Sequence, residues 1–292
     1  MIHELGSLAG LRAACGDDDL VVWTAQDLGG PASPARAWAS GEAVVAAAPA
    51  VSLHDRLAVW GDAGDAAGLV RHALAELGPG YRPWGERELL TRVAAKVDGL
   101  EVSGAFSWMS LAAEPASPAS PRSSASPSSQ VGPGSPSSPA SPAPPAAPVG
   151  PGSPPSPDVP DVPPVSEVGW LPETDLGEVA ALLAADAPGS YATPDDPGVR
   201  RWAGVRVGGV LASVAADAWP APSVGLLAGV ATAAAFRGRG LAERVCRWVT
   251  EELVASYGRA ALMVDDDNAA AIALYERLGY RLRPVLSTYI RQ

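Results

Sequence analysis

The chain has 292 residues, enough for one large domain or two small ones. Asp and Glu number 32 against 21 Lys and Arg, a formal net charge of −11. That balance argues against a nucleic-acid partner, which would need a basic face, and is compatible with a cationic amine substrate. The two cysteines, Cys15 and Cys246, lie far apart, so no disulfide framework is expected, and Cys246 reads as a small core residue. The first residues show no basic leader and no sustained apolar run, and no stretch is apolar over the span of a bilayer. The expectation is a cytoplasmic protein with no membrane partner.

Residues 1–112 read as a smaller α/β domain. Leu20-Val21-Val22-Trp23, Ala43 to Ala46 and Leu57 to Trp60 are β-prone runs bounded by Gly, Pro and Asp and predict strands. Ala66 to Leu77 predicts a helix with Leu69, Ala73, Leu74 and Leu77 on one face and Gly78 as its stop. Glu86 to Ala95 predicts a second helix, turning Leu89, Leu90 and Val93 inward. Between them Tyr81-Arg82-Pro83-Trp84 reads as a short edge strand, because proline cannot donate to a ladder. Leu100 to Leu111 alternates loosely and closes this part as a strand.

Residues 113–165 change composition abruptly to Pro, Ser, Ala and Gly. Such a segment buries too little apolar surface to offset its ordering entropy and predicts a disordered linker. The second folded part spans 166–292. Val168 to Leu171 predicts a strand, and a helix starting at Glu173-Thr174-Asp175 carries Leu176, Val179, Leu182 and Leu183. Trp202 to Val207 and Val210 to Ala215 flank Gly208-Gly209, a hairpin signal. Gly225 to Thr232 predicts a central strand, Leu241 to Tyr257 a helix ended by Gly258, and Ala260 to Val264 a doubly buried strand. Asp265-Asp266-Asp267 reads as a solvated turn with a helix cap at Asp267 or Asn268, not as a metal site. Tyr280 to Leu282 and Val285 to Ile290 complete the sheet.

The chemistry concentrates where the central strand meets its helix. Phe236-Arg237-Gly238-Arg239-Gly240-Leu241-Ala242 forms a strand–turn–helix junction. Gly238 and Gly240 let an anion approach the backbone, and the helix start offers unpaired amides with partial positive charge. Arg237 and Arg239 add full charges. Further on, Asn268 opens a short amphipathic helix that runs through Tyr275 and ends at Gly279. Arg237-Gly238-Arg239-Gly240-Leu241-Ala242 resembles the R/Q-x-x-G-x-G/A acyl-CoA signature of the GNAT superfamily of N-acetyltransferases. Asn268-x-x-Ala271-x-x-Leu274-Tyr275-x-x-Leu278-Gly279-Tyr280 resembles the second block of the same family, in the right order and spacing.

The resemblance implies a mixed, mostly antiparallel central sheet flanked by helices, and acetyl-CoA as co-substrate. It implies that the amides of Gly238 to Ala242 hold the diphosphate and that backbone groups around Val230 and Ala231 bind the pantetheine arm. It implies that Asn268 contacts that arm, a reading that stands beside plain helix capping, and that Tyr275 is the general acid. The acceptor would be a small-molecule amine or an N-terminal amine. Many relatives carry a glutamate base on the central strand, where this chain has Leu226, so Asp217, Glu173 or water remain as bases. A non-catalytic acyl-CoA-binding module is the alternative. In the N-terminal part the same element order recurs, yet its turn Gly61-Asp62-Ala63-Gly64-Asp65 is acidic, so this part reads either as a degenerate GNAT-like half without CoA binding or as a separate, unrelated α/β module.

Overall fold

The computed structural model describes residues 1–112 and 164–291, so the stretch read as a linker lies almost wholly outside the described residues. The N-terminal half runs β1 (His3–Glu4), α1 (Leu8–Ala14), α2 (Asp19–Thr24), β2 (Arg36–Ser40), β3 (Ala43–Val51), β4 (His54–Gly61), α3 (Ala63–Leu77), β5 (Arg82–Glu86), α4 (Arg87–Ala94) and β6 (Leu100–Ala112). The C-terminal half runs β7 (Gly169–Trp170), α5 (Leu176–Asp186), β8 (Val199–Val207), β9 (Val210–Ala218), β10 (Gly225–Thr232), α6 (Leu241–Tyr257), β11 (Arg259–Val264), α7 (Ala269–Arg277) and β12 (Arg281–Ile290).

All these strands join one sheet in the order β1-β2-β3-β4-β5-β12-β6-β11-β10-β9-β8-β7. Only β4–β5 and β10–β11 pair in parallel, each bridged by one helix, α3 or α6. The order reads the same from both edges if β7 to β12 repeat β1 to β6, with one exchange at the centre. β12, the last strand of the second half, lies against β5 of the first, and β6 lies against β11 of the second. The two exchanged strands pair with each other from Arg281↔Ser110 to Ile290↔Leu100. The described residues 1–112 and 164–291 accordingly form one compact unit.

Apolar packing and ion pairs reinforce the junction. Trp23, Trp84 and Trp108 are buried with ring centroids 5.4–5.7 Å apart, and the Trp23 indole N–H donates to the Trp219 carbonyl across the halves at 2.8 Å. Aromatic burial of this kind dominates core energetics. Arg283 of β12 pairs with Asp18 and Asp19, and Arg259 of β11 with Asp17.

Two local expectations are corrected. Leu20-Val21-Val22-Trp23, expected as a strand, lies in α2. The Asp18 carboxylate accepts from the Leu20 and Val21 amides, and all four side chains are buried, so capping and tertiary packing override β-branched propensity. The strand around Pro83 is not at an edge: β5 lies between β4 and β12. Pro83 has no N–H to give the ladder, but its carbonyl accepts from the Thr288 hydroxyl of β12 at 2.8 Å.

Candidate active site

The glycine turn has the backbone that an anion cradle requires. A short 3-10 turn, Ala234–Phe236, leads into it, and Gly238 and Gly240 hold φ of 76° and 72°. An L side chain at such angles is strained, and a Cβ on either glycine would meet no heavy atom within 4 Å, so the space beside them is open. Gly240 caps the 17-residue helix α6 without any side-chain hydrogen bond. Among the described residues, the amides of Gly238 to Glu243 donate to no backbone or side-chain acceptor. They form a row of free donors at the positive end of a helix dipole. Leu241 is anchored in the core and Ala242 is partly covered, which fixes the first turn.

The two arginines of the turn differ. Arg237 reaches back: its Nε donates to the Thr232 carbonyl at 3.1 Å and Nη2 to the Asp186 carbonyl at 3.0 Å, tying the turn to the end of α5. Arg239 lies over the Phe236 ring at 5.4 Å and makes no ion pair among the described residues.

Before the turn, β10 and β11 part company. Their parallel pairing covers only Gly225↔Ala260 and Leu226↔Ala261, although β10 continues to Thr232 and β11 to Val264. On its other side β10 is bulged: its register against β9 jumps between Ala228↔Ala216 and Ala231↔Val214, so Gly229 and Val230 face one residue. Gly229 is obligatory there. Its φ is 61°, and a Cβ would come within 2.3 Å of the Trp202 ring. Val230 borders the cleft so formed, while Ala231 is buried and its carbonyl accepts from Ser213 Oγ at 2.9 Å.

The cleft is a cavity of about 560 Å³ whose walls come from both halves. From the second half, β10, Asn268 and Tyr275 border it. Asn268 is the N-cap of α7, its Oδ1 accepting from the Ala271 amide at 3.2 Å. Capping occupies the oxygen and leaves the carboxamide N–H groups, so both expected roles fit one side chain. Tyr275 is 7% exposed and stacks edge-on against Tyr280 at 5.9 Å. Its hydroxyl makes no hydrogen bond to any described residue, whereas the Tyr280 hydroxyl is bonded to Thr250 at 2.9 Å. Burial pushes the Tyr275 phenol well above its ordinary range, with smaller contributions from Cys246 and Tyr280. In the aspartate run, Asp266 is held by Arg87 and by Ser107 Oγ at 2.8 Å.

The bases suggested by the sequence lie elsewhere. Asp217 is fully buried between Arg201 at 3.1 Å and the Tyr257 hydroxyl at 3.2 Å, and Glu173 is exposed in a 3-10 turn; neither borders the cavity. The cavity is instead lined by His54, Arg56 and Arg82 of the first half, which carry no signal in the sequence motifs, and by Ser190 and Tyr191 of the loop after α5, where the resemblance to the GNAT fold places the acceptor. Polar residues at the head of an otherwise apolar strand, as in His54-Asp55-Arg56-Leu57-Ala58-Val59, are the signal that could have found the first two.

Arg82 Nη1 lies 3.3 Å from His54 Nε2. A guanidinium only donates, so that nitrogen accepts and the imidazole is neutral. Burial first, then Arg82 and Arg56, lower the His54 pKa, with Asp55 and a backbone bond at Leu53 opposing; the Tyr191 ring packs 6.4 Å away. The folded value thus lies below the unfolded one of about 6.5. Between the two, the unfolded chain binds more protons, so stability rises with pH and is lost as pH falls through the folded value. His54→Gln is expected to flatten the fall of Tm between neutral pH and pH 5, measured by thermal melts across that window.

The first half has the same strand–helix junction but has filled it. Asp62 caps α3, its Oδ1 accepting from the Gly64 and Asp65 amides at 2.7 and 3.1 Å. Those bonds hold its carboxyl below the usual range. β4 and β5 stay paired over four residues, from Arg56↔Arg82 to Val59↔Gly85, without opening.

Comparison with known proteins gives the same direction. Residues 204–290 match the FR47-like protein family, and this span contains both sequence motifs. A GCN5-related N-acetyltransferase from Sphaerobacter thermophilus aligns over 98% of this chain and 94% of its own, at 13% identity and TM-score 0.50. One from Kribbella flavida aligns over 87% of this chain and 88% of its own, at 18% identity and TM-score 0.49. At such identities the likeness is one of fold. No curated protein matches the sequence.

Proposed function

We propose that this chain, GNAT-like in fold with an FR47-like C-terminal half, is an acyltransferase that moves the acetyl group of acetyl-CoA to a primary amine. One observation carries the reading. A row of free amides at the head of α6 directly follows the strand that borders a cavity, and the hydroxyl of Tyr275, a largely buried residue in that cavity's wall, makes no hydrogen bond to any described residue. The amides of Gly238 to Ala242, with Arg239, fit a diphosphate. The gap between β10 and β11 fits an extended arm that pairs with backbone near Val230 and Ala231, where Asn268 also faces the cavity.

Transfer needs a positioned amine, a polarised carbonyl and a proton for the departing sulfur. The amine lone pair attacks the thioester carbonyl; the C–N bond forms and the C–S bond breaks. The Tyr275 hydroxyl gives its proton to the leaving sulfur, the amine nitrogen releases one to solvent, and solvent restores the tyrosine. On this reading the amine enters neutral: Leu226 stands where a side-chain base would be expected on β10, and neither Asp217 nor Glu173 borders the cavity.

That same lack of a carboxylate base on β10 favours the second reading, an acyl-CoA-binding module without turnover. Calorimetric titration with CoA, paired with thioester consumption over a panel of primary amines, separates the two. We expect CoA to bind and at least one amine to consume acetyl-CoA. Binding with no turnover on any amine leaves the non-catalytic reading, and no binding removes both.

A further inference from the structure

The cavity contains two guanidinium groups that the transfer reaction does not use. Arg56 is 3% exposed and stacks at 4.8 Å over the Trp84 ring. Its Nε donates to the Val51 carbonyl at 3.1 Å, and its Nη2 donates to Ser52 Oγ at 3.2 Å and to the Tyr191 hydroxyl at 3.1 Å. The Tyr191 hydroxyl in turn donates to the Ser52 carbonyl. Every one of these acceptors is neutral. Arg56 is the β-ladder partner of Arg82, which bonds only to the neutral imidazole of His54. Among the described residues, neither arginine pairs with a carboxylate.

Arg56 is a cation taken out of water without a counter-charge, beside the half-buried Arg82, and buried charges are ordinarily paired. The elements around Arg56 hold it rigidly: strand position, stacking and three fixed acceptors orient the group while leaving Nη1 uncommitted. The uncommitted Nη1 of Arg56, with the Arg82 guanidinium beside it on the ladder, can donate charge-assisted bonds to a carboxylate. The single carboxylate among the cavity-lining residues, Asp265, stands at the end of β11, on the half that carries Tyr275. The cavity is therefore polarised, positive on the wall from β4 and β5 and negative at the end of β11.

We propose that Arg56 and Arg82 bind the carboxylate of an amine acceptor, so that the substrates are amino acids or related carboxylate-bearing amines. This rests on the acyltransferase reading for the reaction, though not for the binding. The first half, having lost its own cofactor cradle, would thus contribute the acceptor site to the second.

The test uses the full chain and two readouts. Free L-amino acids and the matching L-amino-acid amides, which lack only the anionic group, are compared first as acetyl-CoA-dependent acceptors and then as ligands raising Tm in the presence of CoA. The expected result is a preference of about 10-fold or more in kcat/KM for one or more acids over their amides, residing in KM, with a matching preference in binding. Arg82→Gln, on the more exposed arginine, should bring the acid-to-amide ratio close to 1; Arg56→Gln should do the same if it folds. Selective binding of acids without turnover would sustain the carboxylate site and sink the acyltransferase reading. Equal use and binding of acids and amides overturns the site. So would a preference that follows a carboxylate on the acyl donor, seen with succinyl-CoA against acetyl-CoA, or one that follows phosphate-bearing amines.

Discussion

Gly240→Asp is expected to weaken CoA binding by about 10²-fold or more while leaving the protein folded. The first half contains the natural version of this substitution: Asp62 occupies the N-cap of α3, and its carboxylate takes the free amides there. At Gly240 the new side chain would enter open space, since a Cβ there has no neighbour within 4 Å. The cost to the fold is therefore backbone strain at φ 72°, about 1 kcal/mol, a Tm fall of about 2–4 °C. The cost to the ligand is much larger. A carboxylate among the amides of Gly238 to Glu243 competes for their hydrogen bonds and repels the diphosphate. Losing two charge-assisted bonds at about 1.5–3 kcal/mol each weakens binding by about 10²-fold or more. Calorimetry with CoA, alongside a thermal melt of the same sample, checks both halves of the statement. A variant that binds CoA like the parent would mean the diphosphate sits elsewhere.

What could be read from the sequence and what could not divides by the range of the interactions. The glycine turn, the hairpin at Gly208-Gly209, the Asn268 cap and helix α6 from Leu241 to Tyr257 are all set by neighbours within a few residues, and each stands where its signal is. Helix α2 departs from its β-prone sequence for a local reason too: the Asp18 cap outweighs the adjacent Val21-Val22 pair. The exchange of β6 and β12 left no such trace. Strand periodicity shows which face a residue turns, but not that Val285 would pair with Phe106 on one side and Glu86 on the other. The cavity wall around Arg56 is the extreme case. Arg56 and Tyr191 meet across 135 positions of chain, and nothing near either residue marks the contact. Arg82, beside a proline assigned to an edge, was hidden by the same misplacement of β5.

Tyr275→Phe is expected to lower kcat by about 10²-fold, the low end of what a positioned general acid contributes, with CoA affinity unchanged. The substitution removes one oxygen that bonds to no described residue and keeps the ring that packs against Tyr280 and the α6 core, so neither fold nor cofactor site loses a contact. The hydroxyl suits the task because burial keeps it protonated well beyond neutral pH. Burial does the same to sulfur nearby: the Cys246 thiol, in the same core cluster, is pushed up to about 12. The dependence on the leaving group supplies the check that a packing role could not mimic. With Tyr275 present, kcat should show no basic limb up to pH 9. In the phenylalanine variant the loss should shrink when the acyl donor is a thioester of a more acidic thiol, whose anion needs no proton to depart. Equal losses with both donors would place Tyr275 in the wall of the cavity and outside the chemistry.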